Sequence, residues 1–231
     1  MIEERDPQRL GAVLADRVAA DLRAAISAGG RARLAVPGGT TPAPFLRALG
    51  AADLDWERVA VTLTDERWVP VSDPRSNQGL LADTLFSGPA AGAEFVPLYG
   101  ATAEPAQSLD AIAAALGHIA LPLDVVVAGM GADMHTASLF PGAVGLAEAL
   151  SDAAPPVVAI TAPGAMEPRI TLSAPVLRQA SRRYLLIHGP AKRAALERAG
   201  AADGAEAAPV RVLLDAPGGA TVCYAAGEGR P

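Results

Sequence analysis

Residues 123–136 read LDVVVAGMGADMHT, an apolar run that ends abruptly in a glycine-rich polar segment. A nearly continuous run of apolar, β-branched residues is typical of a strand that is buried on both faces of a sheet. Gly129 and Gly131 then favour a turn. This stretch therefore predicts a buried strand that brings polar side chains to its carboxyl end.

The same alternation of apolar run and polar turn recurs along the chain. The other predicted strands lie at residues 34–36, 59–64, 157–161 and 184–187, with two late peripheral strands at 210–214 and 221–225. Helical patterns separate many of these runs. The alternation predicts an α/β fold with a mostly parallel sheet that is covered by helices on both faces.

Two helices have readable ends in the sequence. Asp6 as N-cap and Pro7 as first residue begin a helix that Gly29 and Gly30 end. Thr41 is the expected cap of a second helix over residues 42–49. No internal repeat or low-complexity linker interrupts the chain. We interpret residues 1–231 as a single domain, with space for a small subdomain in the middle.

Composition excludes several classes of partner. The formal net charge of −6 argues against nucleic-acid binding, which needs a clustered basic face. The single cysteine, Cys223, cannot form an internal disulfide. The N-terminus is acidic, and no apolar run reaches the roughly 20 residues that a membrane helix needs. We expect a soluble, cytoplasmic protein, without a membrane partner.

Polar clusters that could carry chemistry follow the apolar runs. They lie at residues 38–41, 65–67, 133–135, 169 and 188–192. Ligands of open α/β sheets bind at the carboxyl ends of the strands. We therefore expect these clusters to meet in one cleft.

The turn after the first strand has the composition of an anion site. Gly38 and Gly39 permit close backbone approach, and Thr40 and Thr41 offer hydroxyls beside helix N-terminal amides. The alternative is an ordinary strand-to-helix turn whose glycines allow tight packing. The segment matches neither of the glycine-rich nucleotide-binding motifs.

A second polar concentration contains Asp65, Arg67, Arg75 and Asn77. A guanidinium group can bind a phosphate or a developing oxyanion with two parallel hydrogen bonds. The alternative is a surface loop with internal ion pairs. Two further candidates for phosphate binding, Arg169 and Lys192, are each expected near the start of a helix, where a surface salt bridge is the alternative.

Asp133 and His135 place a carboxylate and an imidazole two residues apart in the turn after the buried strand. An unperturbed histidine titrates at about pH 6.5, which suits a general base, and the carboxylate could orient its ring. A metal site is the alternative, but no third ligand at a recognisable spacing supports it. His118 is interpreted as incidental, and His188 as a cap of its turn.

The motifs together resemble the 6-phosphogluconolactonase family. They occur in family order: PGGTTP (37–42), DERWVP (65–70), SN (76–77), GMGADMHTASLFPG (129–142), PRITL (168–172) and GPAK (189–192). The resemblance implies a Rossmann-like three-layer sandwich, shared with glucosamine-6-phosphate deaminases and isomerases. It also implies a hydrolase of the oxidative pentose phosphate pathway that needs no metal and no cofactor.

Roles for single residues follow from the resemblance. His135 would activate water, with Asp133 as its orienting partner. The glycine–threonine turn with Arg169 and Lys192 would bind the phosphate of a sugar lactone, while Arg67 and Arg75 would position substrate or stabilise charge. The alternatives are a glucosamine-6-phosphate deaminase or isomerase, and a non-catalytic sugar-phosphate sensor. The oligomeric state, monomer or weak dimer, stays open.

Two positions depart from the family pattern. Met134 stands where glycine is usual, and its side chain could crowd the site or restrict the loop. Cys223 stands where an aromatic residue is usual, which we interpret as a packing change.

Overall fold

The computed structural model describes residues 1–227, and residues 228–231 of the predicted 1–231 domain lie outside the described residues. The strands are β1 (Ile2–Glu4), β2 (Ala32–Val36), β3 (Val59–Leu63), β4 (Asp65–Arg67), β5 (Glu94–Val96), β6 (Val125–Ala128), β7 (Val157–Ile160), β8 (Arg169–Leu172), β9 (Arg182–His188) and β10 (Thr221–Ala225). The helices are α1 (Pro7–Gly29), α2 (Ala43–Gly50), α3 (Asn77–Asp83), α4 (Leu109–His118), α5 (Leu146–Leu150), α6 (Ala174–Gln179), α7 (Pro190–Ala201), α8 (Gly204–Ala207) and α9 (Arg211–Leu214). Within the described chain, no helix is long and apolar enough to cross a membrane.

The main sheet has seven strands in the order β1-β10-β9-β6-β2-β3-β5, and every neighbouring pair is parallel. From β2 the chain adds β3 and β5 on one side, and then returns to add β6, β9 and β10 on the other. The order therefore reverses between β2 and β6. The predicted α/β fold with a mostly parallel, Rossmann-like sheet is confirmed, and the reversal marks where ligands bind in such sheets.

The sequence pattern of α1 explains how this helix covers the core. The Asp6 carboxylate accepts the N–H of Gln8 at 3.0 Å, and Gly30 ends the helix with a φ of 77°. The fully buried side chains recur every four residues, as Leu10, Leu14, Val18 and Leu22. This spacing keeps them on one face of the helix. The predicted start and stop of this helix are confirmed.

A second, antiparallel sheet has the order β4-β8-β7 and corrects two predictions. Residues 157–160 form a strand as predicted, but it belongs to this sheet. Arg169 was expected at the start of a helix and instead begins β8, where it pairs with Arg67 of β4. Proline, here Pro168, is tolerated at the beginning of a strand as well as of a helix, and β-branched Ile170 and Thr171 favour the strand.

Two other local predictions were wrong. Residues 210–214 were expected as a strand and form the short helix α9 (Arg211–Leu214). A short apolar run has no periodicity that separates a buried strand from one turn of helix. Helix α2 begins at Ala43, and Pro42 in its N-cap position leaves Thr41 outside the helix.

Candidate active site

A cleft of about 200 Å³ opens at the carboxyl ends of β2, β3, β6 and β9, at the point where the strand order reverses. Nine of the residues predicted from the sequence line it: Gly38, Gly39, Thr41, Asp65, Arg67, Asn77, His135, Arg169 and Lys192. The structure therefore brings the separate polar clusters together, because the carboxyl ends of parallel strands share one edge of the sheet. Thr40, Arg75 and Asp133 are not among the lining residues.

The glycine turn after β2 is shaped by close packing. A Cβ added to Gly38 would lie 1.9 Å from the Asn77 Cγ, so only glycine fits against that side chain. The Asn77 Nδ2 in turn donates to the Asp65 carbonyl at 2.8 Å. Gly39 has a φ of 86°, in the left-handed region that favours glycine. Packing against Asn77 thus explains the glycine at position 38, while Gly39 and Thr41 line the cleft.

His135 and Asp133 are in direct contact, with 2.5 Å between His135 Nδ1 and Asp133 Oδ1. A carboxylate can only accept, so Nδ1 carries the proton and Nε2 is the basic atom of the neutral ring. Partial burial alone would raise the pKa of Asp133, but the charge and hydrogen bond of His135 outweigh it and lower that pKa. The ring of His135 also packs on Phe140, with 4.2 Å between ring centroids.

The turn that carries this pair is held by its own backbone. The Gly131 N–H donates to the His135 carbonyl at 2.9 Å, and the Met134 N–H donates to the Gly131 carbonyl at 3.1 Å. Met134 has a φ of 68°, a conformation that is strained for any residue with a Cβ. Its side chain packs against the core and does not line the cleft. The expected crowding of the site by Met134 is therefore absent.

Asp65 and Arg169 form a second polar group of the cleft, in which Asp65 is buried and Arg169 is partly buried. Oδ2 of Asp65 accepts the Ser138 hydroxyl at 2.6 Å, and Oδ1 accepts the Thr64 hydroxyl at 3.1 Å. Arg169 Nη1 lies 3.9 Å from the same Oδ2. Burial lowers the pKa of Arg169, while Asp65 opposes the shift. The guanidinium also lies 5.1 Å from the centroid of the Phe140 ring.

Arg67 and Arg75 differ in what their charges face. Arg67 lines the cleft and donates through Nη1 to the Arg75 carbonyl. Arg75 is paired with Asp73 at 2.8 Å and with Glu167 at 2.6 Å, and it holds the pKa of Asp73 at about 2. The alternative of a surface loop with ion pairs therefore describes Arg75, whereas Arg67 adds positive charge to the cleft.

Helix α7 brings Lys192 to the cleft in its first turn. Burial lowers the pKa of Lys192, with the charge of Asp133 opposing the shift. Arg198, later on α7, donates to the Ala132 carbonyl at 2.8 Å and so ties this helix to the histidine turn. His188, which belongs to the predicted 188–192 cluster but was interpreted as a cap of its turn, also lines the cleft. Burial lowers its pKa as well.

Glu66 was not singled out from the sequence, yet it organises the loop behind the cleft. Its side chain is fully buried. Oε1 accepts the N–H groups of Arg67 (2.7 Å) and Asn77 (2.8 Å), and Oε2 accepts the N–H of Gln78 (2.7 Å) and the Ser76 hydroxyl (3.2 Å). Burial raises the pKa of Glu66, although these N–H donors oppose the shift. Through these hydrogen bonds the Glu66 carboxylate joins β4 to the start of α3.

We expect Glu66→Gln to lower the free energy of unfolding by about 2–3 kcal/mol, because the new amide N–H₂ must face donors in either orientation. Urea denaturation at neutral pH measures the loss. Glu57→Gln, at an exposed position, is the control and should leave the midpoint unchanged. Equal midpoints for all three proteins would show that the Glu66 hydrogen bonds contribute nothing to stability.

Among residues 1–227, no group of three or more His, Cys, Asp or Glu side chains is placed to hold a metal ion. The arrangement instead combines a histidine–carboxylate pair with Arg67, Arg169 and Lys192 in one cleft. Such a cleft, at the switch point of a parallel sheet, is typical of an α/β enzyme that acts on a small anionic substrate.

The chain belongs to the family described as glucosamine-6-phosphate isomerases/6-phosphogluconolactonase, whose model matches residues 5–223. It is 47% identical to the 6-phosphogluconolactonase of Rhizobium meliloti (strain 1021), with 90% of each chain covered. It is 42% identical to the 6-phosphogluconolactonase of Pseudomonas putida, covering 93% of this chain and 89% of the relative. A crystal structure of a 6-phosphogluconolactonase from Shewanella baltica OS155 superposes with a TM-score of 0.94 at 34% identity, covering 97% of both chains.

Proposed function

We propose that this chain hydrolyses 6-phospho-D-glucono-1,5-lactone to 6-phosphogluconate, a step of the oxidative pentose phosphate pathway. The observation that carries the proposal is that His135, paired with Asp133, lines the same cleft as three cationic side chains. Relatives that are 42–47% identical and are named 6-phosphogluconolactonase support the same reaction. We place the enzyme in the cytoplasm, since its only thiol, Cys223, is free and buried and requires no oxidising compartment.

Substrate binding would use the cationic side chains and the glycine turn. The phosphate docks against Gly39, Thr41, Arg169 and Lys192, all of which line the cleft. Thr40 is exposed and does not line the cleft. It therefore contributes to phosphate binding as part of the glycine turn and not by direct contact. Arg67 positions the lactone or stabilises its developing charge.

The chemical step is assigned to His135. Nε2 takes a proton from a water molecule, whose oxygen forms a bond to the lactone carbonyl carbon. The resulting oxyanion is stabilised by cleft donors, each worth about 3–4 kcal/mol when well placed. As the tetrahedral intermediate collapses, the bond from this carbon to the ring oxygen breaks, and protonated His135 gives its proton to that oxygen. Asp133 keeps the ring in the tautomer that this sequence requires.

The test is lactone hydrolysis. The lactone is generated in situ by enzymatic oxidation of glucose 6-phosphate, and spontaneous hydrolysis is subtracted. We expect strong acceleration with this substrate and no ammonia release from glucosamine 6-phosphate. Ammonia release would favour the deaminase, and binding of 6-phosphogluconate without any turnover would favour a sensor.

A further inference from the structure

Ser138 connects the turn that carries His135 to Asp65 and Arg169 of the cleft. It lies three residues after His135 and is fully buried. Its N–H donates to the Thr171 hydroxyl of β8 at 3.2 Å, and its own hydroxyl donates to Asp65 Oδ2 at 2.6 Å. A buried O–H···carboxylate bond of this length is among the stronger hydrogen bonds in proteins.

The same oxygen of Asp65 also faces Arg169. Arg169 Nη1 lies 3.9 Å from Oδ2, which is beyond hydrogen-bonding distance. The other oxygen, Oδ1, accepts the Thr64 hydroxyl. Asp65 therefore attracts the guanidinium through its charge while both of its oxygens are engaged by hydroxyl groups. At this distance the N–H donors of Arg169 are not consumed by the carboxylate beside them.

A carboxylate without these hydroxyl partners would interact differently with Arg169. An arginine and a carboxylate in contact prefer two parallel hydrogen bonds, which would take two of the five donors of the guanidinium. Those donors would then be turned towards Asp65 and away from the cleft. An anionic substrate would have to break this pair before it could bind Arg169.

We propose that Ser138 is a positioning residue, whose hydroxyl occupies Asp65 Oδ2 and thereby keeps the guanidinium of Arg169 available to the anionic group of the substrate. This inference rests on the proposed function for the identity of the substrate. The geometry itself predicts a preference for an anion whether or not turnover occurs.

Ser138→Ala tests the proposal with the full chain. We expect KM for the phosphorylated lactone and the inhibition constant of inorganic phosphate each to rise about 10-fold, with kcat changed less than about 3-fold, the size expected when one charge-assisted interaction is lost. In an Asp65→Asn background the same substitution should change neither constant, since the competing charge is gone. Ser138→Cys, which keeps a weak donor of similar size, should fall between serine and alanine.

Ser173→Ala is the matched control. Ser173 is also fully buried and also adjoins β8, but its hydroxyl has no hydrogen-bond partner among the described residues. The Ser173→Ala substitution should leave KM and the phosphate inhibition constant at wild-type values.

Two outcomes would overturn the proposal. A fall in kcat at constant KM would mean that Ser138 only supports the histidine turn, and an undiminished effect in the Asp65→Asn background would mean that it does not act through Asp65. An inactive wild type would instead contradict the proposed function. Phosphate binding, measured by calorimetry, would then still test Ser138.

Discussion

His135→Ala is expected to lower kcat for the lactone about 10³-fold, the range in which a positioned general base contributes. KM should change little, because the cations proposed to bind the phosphate belong to other elements of the cleft. The fall in kcat is expected because Nδ1 of His135 is hydrogen-bonded to Asp133, which leaves Nε2 as the basic atom. Initial rates over a range of lactone concentrations, corrected for spontaneous hydrolysis, separate the two constants.

His118→Ala provides the control for this substitution. His118 is exposed at the end of α4 and does not line the cleft, so its loss should leave both constants unchanged. Binding of 6-phosphogluconate to the His135→Ala protein should persist and shows that the cleft is intact. If that protein retained kcat within about 3-fold of wild type, another group would have to be the base.

The sequence was sufficient to predict how the cleft is assembled. Continuous apolar runs predict buried strands, and a parallel sheet places the carboxyl ends of these strands on one edge. Polar clusters separated by about 100 residues in the chain, such as 38–41 and 133–135, could therefore be assigned to one site. The spacing of Asp133 and His135 suggested that the carboxylate orients the ring, and the structure places the two side chains in direct contact.

The contacts that adjust the site could not be predicted in the same way. Ser138 and Asp65 are 73 residues apart in sequence, and their hydrogen bond exists only because the loop after β6 packs on the second sheet. The position of Arg169 depended on a four-residue segment whose helical or extended conformation is decided by its pairing with β4. Short segments carry too few side chains for periodicity to distinguish these states.

For Met134, the backbone conformation could be predicted from the sequence but the direction of the side chain could not. Glycine is usual here in the family that the sequence resembles, which suggested a backbone that prefers glycine, and the φ of 68° of Met134 agrees with that expectation. The direction of the side chain could not be read from the sequence. It packs on the core, and its carbonyl accepts the Val210 N–H at 3.0 Å, so the strained residue is anchored from outside the cleft. Tertiary contacts of this kind stabilise a conformation that local preference disfavours.

Gly131→Ala is expected to lower kcat about 10²-fold, although the substituted residue takes no part in the chemistry, because displacement of a catalytic group by about 1 Å can cost this much. An added Cβ would lie 2.1 Å from His135 Nδ1 and 2.2 Å from Asp133 Oδ1. The φ of Gly131 is outside the left-handed region, so the backbone itself accepts alanine. The methyl group must therefore separate the pair or turn the ring.

Proton NMR distinguishes this cause from general damage to the fold. The downfield Nδ1–H resonance of His135 should disappear in Gly131→Ala, and the pKa of Asp133 should rise, because the contact with His135 is what lowers it. Gly129→Ala is the matched control: its methyl would meet no atom within 4 Å, so the resonance and the free energy of unfolding should equal those of wild type. Wild-type kcat in Gly131→Ala, with the resonance lost, would show that Asp133 is dispensable for orienting the base.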